Sequence, residues 1–148
     1  MSSIELTQNE ADALINIEKK KINRSIYEYP HLGGRLNIPL KSTNNKEEFH
    51  LDITRSNIKL SKTSHQNRSR KIIILVRLCI DGSPHRNPDG SEIQRNHIHI
   101  YREGYGDKWA YPIPDYFTNI ENKIITIYEF MEYCNIIDQP TIQLGIFT

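Results

Sequence analysis

Apolar positions along this chain switch between a helical period and strict alternation, and the switches delimit the elements. Ala11, Leu14, Ile15 and Ile22 recur at roughly helical spacing behind Thr7-Gln8-Asn9-Glu10. That tetrapeptide is a capping box, in which the Thr7 hydroxyl and the Glu10 carboxylate satisfy two backbone donors reciprocally. With Leu6 placed to staple onto Ala11, the spacing predicts a helix from about Gln8 to Ile22. Pro30, Gly33 and Gly34 mark a loop. Leu36 to Leu40 reads as a short strand, confined by Pro39 to an edge or an end. Lys46 to Arg55 alternates, with Phe49, Leu51 and Ile53 on one side and His50, Asp52 and Thr54 on the other. Ile58 and Leu60 open a further strand running towards His65, and Gln66 to Arg70 reads as a polar loop. Lys71 to Ile80 carries the strongest strand signal. It places Ile72, Ile74, Val76, Leu78 and Ile80 on one face and Lys71, Ile73, Leu75, Arg77 and Cys79 on the other.

Asp81-Gly82 and Asn87-Pro88-Asp89-Gly90 are turn chemistry, and Asn96 to Arg102 alternates again. Thr126-Ile127-Tyr128-Glu129 repeats the capping-box pattern ahead of a stripe of Ile127, Phe130, Met131 and Cys134. Asn135 and Pro140 suit its end. Thr141 to Phe147 is a possible last strand. The order helix, strands, helix predicts an α+β fold: an antiparallel sheet of four to six strands, with an N-terminal and a C-terminal helix packed mainly on one face.

Composition narrows this picture modestly. A length of 148 residues, 37% hydrophobic and 25% charged, fits a single domain spanning 1–148. The longest apolar run, Ile72 to Val76, is far too short to span a membrane. The polar stretch Met1 to Glu10 lacks a signal-peptide pattern, so a cytoplasmic location is expected. Cys79 and Cys134 sit in apolar surroundings without a C-x-x-C pair and read as two buried thiols.

Net charge is +1, but its distribution is uneven. Arg55, Lys59, Lys62, Arg68, Arg70, Lys71 and Arg77 fall between Ile53 and Ile80 with no acid among them. Asp115 to Asp138 holds five acids and only Lys123. A basic stretch of this kind attracts phosphates or an acidic protein surface, or is simply a solvated loop.

The candidate chemistry lies on the side of the sheet opposite the apolar positions. In a simple meander, alternation gathers His50, Asp52, Lys59, Thr63, His65, Arg77, His97, His99 and Tyr101 there, unless a bulge scrambles the register. His85 stands nearby in a loop that reads first as a turn. Histidine titrates near neutrality and serves as acid or base, as cleavage of an RNA phosphodiester requires. Arg77 and Lys59 suit the developing phosphorane charge, and Tyr101 suits base stacking. The alternative is a wet sheet face whose groups satisfy one another. His97 and His99 are also two apart on one strand, so both rings can meet one ion, with His85 or His50 completing a set.

Several segments carry a resemblance: F-H-L-D-I-T-R (Phe49 to Arg55), T-S-H-Q-N-R-S-R-K (Thr63 to Lys71), V-R-L-C-I-D-G (Val76 to Gly82), P-H-R-N-P-D-G and H-I-H-I-Y-R-E-G-Y-G-D-K-W-A. Nearly the whole chain resembles an uncharacterised prokaryotic family of small proteins, classed only as a domain of unknown function and typical of phage and mobile-element gene sets. The resemblance implies no activity and no site residues. It places a tyrosine where this chain has His65, which implies no essential role for that histidine.

Together these readings predict a small phage- or mobile-element-type protein. It would bind nucleic acid, RNA first, or a nucleic-acid-handling complex through a basic, histidine-rich sheet face, as an inhibitor or toxin–antitoxin component. The expected contacts are Arg55, Lys59, Lys62, Arg68, Arg70 and Lys71, with a protein partner possible and no membrane or cofactor expected. One alternative is a metal-independent endoribonuclease using His97 and His99 as acid and base, with Arg77, Tyr101 and His85 in support. A second is a histidine-ligated metalloenzyme.

Overall fold

A computed structural model describes residues 5–145. Its elements run α1 (Gln8–Asn16), β1 (Lys19–Lys21), β2 (Ile26–Glu28), β3 (Arg35–Ser42), β4 (Glu48–Arg55), β5 (Thr63–Ser69), β6 (Ile73–Ile80), β7 (His85–Arg86), β8 (Glu92–Ile93), β9 (His97–Ile100), β10 (Ala110–Pro112), α2 (Lys123–Tyr133), β11 (Ile136–Asp138) and β12 (Thr141–Gln143). The fold is α+β, as the element order predicts. The sheet is larger than expected, with eight strands ordered β10-β9-β6-β5-β4-β3-β1-β11. It is also mixed. After α2 the chain returns alongside β1, and such a crossover makes β1 and β11 parallel. Two further short strand pairs, β2 with β12 and β7 with β8, lie outside it. No helix among the described residues is long and apolar enough to cross a membrane.

The capping box of α1 is present. Thr7 Oγ1 accepts from Glu10 N at 3.1 Å, and Glu10 Oε1 accepts from Thr7 N at 2.9 Å. The helix nevertheless ends at Asn16, well short of Ile22, because Ile17 turns extended and Lys19–Lys21 pairs with β3 and β11. Tertiary pairing overrides helical propensity here. The α2 start is also displaced. Asn122, not the Thr126 hydroxyl, caps it, its Oδ1 accepting from Ile124 N and Ile125 N. Thr126 is buried inside the helix and donates to the Asn119 carbonyl, while Glu129 holds Thr118 instead. Asn135 follows the helix at φ 59°, a left-handed stop that asparagine tolerates.

Pro39 lies inside the sheet in β3. The neighbouring β1 pairs only with Leu40 to Ser42, so that flank of Pro39 is uncovered. Ile58 and Leu60 form no strand and are 92% and 64% exposed. The polar stretch Gln66 to Ser69 is strand rather than loop, and the turn falls at Arg70 and Lys71, both at positive φ. A last strand is present over Thr141–Gln143, and Phe147 lies outside the described residues, as do Met1 to Ile4.

Phe49, Leu51 and Ile53 from β4, Leu78 from β6 and Ile98 from β9 form one core with Ala11 and Leu14 of α1 and Ile127, Phe130 and Met131 of α2. A register shift interrupts β5 and β6, where Asn67 opposes Val76 but Arg68 opposes Ile74. Leu75 is the extra residue of this bulge, so Leu75 and Val76 are both buried. Neither of the two expected faces of this strand therefore persists along its whole length.

The bulge, the strand ends and the pairing of β5, which sets His65 opposite the core residue Ile53, remove four residues from the expected polar face. Tyr101 lies just past β9, beside the bulge, with its N–H donating to the Leu75 carbonyl. Its hydroxyl accepts from Leu6 N at 2.8 Å and donates to Leu6 O at 3.2 Å, which ties down the entry to α1. Tyr101→Phe is expected to cost about 1–2 kcal/mol in urea unfolding, because a buried donor and acceptor lose their partner. His65 and Thr63 are buried on the α2 side, and Lys59 sits in the turn before β5.

Candidate functional site

The register of five strand pairs builds a polar rung across the other side of the sheet. Asn37 opposes Asp52, Asp52 opposes Gln66, Gln66 opposes Arg77, Arg77 opposes His99, and His99 opposes Ala110. Residues opposite one another on one face are in side-chain contact range, so the rung is one connected strip.

One end of the strip is a closed network. Asp52 accepts from Asn37 Nδ2 at 2.7 Å, from Gln66 Nε2 at 2.8 Å, and from Arg68 through Nε at 2.5 Å and Nη2 at 3.0 Å. Burial pushes its carboxyl up, but the Arg68 and Gln66 bonds outweigh that and hold it below the usual range. His50 bonds Asn37 Oδ1 at 3.2 Å and belongs to this end.

The other end is the histidine cluster. The ring centroids of His85, His97 and His99 lie 5.8, 4.7 and 4.9 Å apart as the pairs 85–97, 85–99 and 97–99. Neutral imidazole must donate to bond a carbonyl, so these contacts fix the tautomers. His97 Nδ1 donates to Gln94 O at 2.6 Å and His99 Nδ1 donates to Asp107 O at 2.8 Å. Both therefore present Nε2 as a free lone pair. His85 is held the other way round, donating Nε2 to Lys108 O at 2.7 Å. Burial lowers the proton affinity of His97 and brings His99 down to about 4, with Arg77 adding to the effect on both. Both rings are thus neutral at pH 7.

Arg77 stands beside His99 and pairs with Asp107 at 3.2 Å, while its Nε has no partner. The sequence also hides one member of this cluster. Cys79 opposes His97 on β6, and one ligand atom from each of Cys79, His97 and His99 lies within 4.8 Å of the others. The signal was present in the chain, since Cys79 shares the parity of Arg77. Apolar neighbours made it look like core. Burial pushes its thiol up, and Arg77 partly opposes this. A cavity of about 360 Å³ opens from Cys79 and His97 past Thr54, Ser64, Ser83 and Lys62.

The matched stretch of sequence is long enough to decide the family. The model of a family of unknown function, DUF6978, matches residues 6–136. The chain belongs to that family. No curated protein and no solved structure matches it. The DUF6978 match spans the strip, the histidine cluster and both helices, so the site lies wholly within the matched residues.

The expected basic contacts do not form one free patch. Arg55 is buried and donates to the Pro30 carbonyl, Lys59 pairs with Asp81 at 2.9 Å, Arg68 is clamped on Asp52, and Arg70 lies 3.7 Å from Glu47. Among the described residues only the side chains of Lys62 and Lys71, of these six, have no carboxylate or carbonyl partner. Tyr101 is not part of the cluster, whereas His85 is.

Proposed function

We propose that the protein acts on nucleic acid, RNA first, by cleaving a phosphodiester at the histidine end of the strip. The observation that carries this reading is the convergence of three imidazoles beside Arg77. RNA cleavage needs a base at the 2′-hydroxyl, an acid at the leaving oxygen and a cation at the developing phosphorane. A neutral His97 or His99 offers Nε2 as base, Arg77 offers the cation, and His85, the least buried ring, is the candidate acid. Because His97 and His99 are only 3% and 2% exposed, substrate would reach them through the cavity that His97 lines. Its hydroxyls and Lys62 suit a sugar and a phosphate.

The test is incubation of labelled RNA with purified protein. His97→Ala and His99→Ala are each expected to slow cleavage by about 10²–10⁴-fold with melting temperature retained, the usual size of a lost acid–base group. RNA left intact by the wild-type chain, with and without divalent ions, removes the reading.

A second reading is contact without turnover, with nucleic acid or a protein–RNA complex, as a phage-type inhibitor or toxin–antitoxin component. The exposed pair Ile58 and Leu60 beside Lys62 supports it, since large apolar side chains in solvent suit a protein partner. A stable complex in pull-down that Ile58→Asp abolishes would favour this reading over cleavage.

A further inference from the structure

We propose that Cys79, His97 and His99 hold one zinc-class divalent ion, with a fourth position left for water or substrate. The inference rests on reading this cluster as the cleavage site and revises its chemistry: the Nε2 lone pairs of His97 and His99 go to the ion, and an ion-bound water takes their place as the base.

Three independent features point the same way. The first is placement. Cys79 and His97 are direct partners on β6 and β9, and His99 follows two residues on along the same face. Their ligand atoms fall within 4.8 Å of one another. Tetrahedral ligands at zinc bond lengths of about 2.0–2.3 Å sit roughly 3.3–3.8 Å apart, so the atoms need to close by only about an ångström. Side-chain rotation on a fixed pair of strands supplies that.

The second feature is tautomer. A metal-bound histidine generally donates its other ring N–H to a carbonyl or carboxylate, which aims the lone pair and fixes the ring. Both His97 and His99 do this through Nδ1, to Gln94 O and Asp107 O. A solvated sheet face gives no reason for two rings to be locked in the same sense.

The third is the donor set. One thiolate and two imidazoles suit zinc over magnesium or calcium, which prefer oxygen. Three protein ligands with an open position are the catalytic pattern, as opposed to the closed four-ligand structural one. Binding displaces the Cys79 proton to solvent and involves no electron transfer. The His85 ring lies 5.8 and 4.7 Å from those of His97 and His99 and bonds Lys108 O through Nε2, so its Nδ1 would be within reach of an ion-bound water.

The test is titration of the chelator-stripped full chain with cobalt(II) alone, followed by absorbance. The expected result is one equivalent bound, with tetrahedral visible bands and a sulfur-to-cobalt charge-transfer band, all displaced by zinc. Cys79→Ser should remove the charge-transfer band, and His97→Ala or His99→Ala should weaken binding by at least about tenfold. His50→Gln, at the far end of the strip, should leave the titration unchanged. Circular dichroism melting of each stripped variant identifies any that fail to fold, and Cys79→Ser is close enough in size to survive. No tetrahedral spectrum in the folded wild type, or a charge-transfer band that persists in Cys79→Ser, overturns the site. Cobalt bound in this way while RNA stays intact keeps the metal site and removes the nuclease reading. RNA cleaved by a chain that binds no cobalt does the reverse.

Discussion

Lys19→Met is expected to lower the stability of the folded chain by about 3 kcal/mol, a large share of a domain of this size. Lys19 is fully buried, at 0% exposure. Its ammonium donates to the carbonyls of Ile15 at 2.8 Å, Ile17 at 3.0 Å and Cys134 at 2.7 Å, and lies 4.9 Å from the centre of the Phe49 ring. Two of those carbonyls belong to the end of α1, and the third follows α2. One side chain thus closes both helices onto the sheet. Burial draws its proton affinity down to about 8, so it is still charged at neutral pH. Methionine fills similar space but leaves three acceptors unpaired. Relief of the ammonium's desolvation offsets part of that loss, which is why the expected figure stays near the lower end for a broken buried ion contact. Urea unfolding at pH 7 measures it. A variant as stable as the wild type would mean that the desolvation cost outweighs the three bonds.

The second large effect is a dependence on acid. His65 is 1% exposed, wedged between the Tyr29 and Phe130 rings at 6.1 and 5.9 Å. Its Nε2 meets the Tyr29 hydroxyl at 3.0 Å and its Nδ1 has no partner. Thr63 and Asn67 flank it on its own strand face, and no carboxylate bonds the ring. Burial therefore drives its proton affinity from the ordinary 6.5 down to about 3. The sign follows from linkage. Below the unfolded value the unfolded chain takes up a proton that the folded chain refuses, so stability falls as pH falls towards the folded value. For one such group the slope is about 1.4 kcal/mol per pH unit. His97 and His99 act in the same direction, so the diagnostic quantity is a difference. Between pH 6 and 4.5, His65→Gln should gain on the wild type by about 1.4 kcal/mol per pH unit, read from urea midpoints at each pH. Parallel pH profiles would show that His65 takes up its proton without unfolding.

These two residues also show where the sequence is legible and where it is not. β4, β6 and β9 announce themselves because their buried positions are apolar and alternate. β5 does not. Its core-facing residues are Thr63, His65, Asn67 and Ser69, all polar and all buried, so its alternation carries no hydrophobic signal and part of it reads as a loop. Lys19 misleads in the same way, since a run of lysines looks like a solvated helix face. The bulge at Leu75 lies between two apolar residues that suit either side, and nothing local marks it. The histidine end of the strip was legible through parity alone for His97, His99 and Arg77, which lie beyond the bulge, where alternation holds, whereas Cys79 read as a buried thiol. His85 stands out with the other two histidines although its loop reads first as a turn, and the hairpin of β7 and β8 brings its ring against those of His97 and His99. The basic stretch looked like a phosphate-binding surface because its acids, Asp52, Asp81 and Glu47, come from other segments of the chain.

The most direct measurement of the histidine site is a long-range proton–nitrogen correlation spectrum of the histidine rings, recorded on the metal-free chain at pH 7. His97 and His99 are both expected to appear as neutral Nδ1–H tautomers with unprotonated Nε2, and both Nε2 signals are expected to shift on adding one equivalent of zinc. Either ring found as an imidazolium, or as the Nε2–H tautomer, would contradict this.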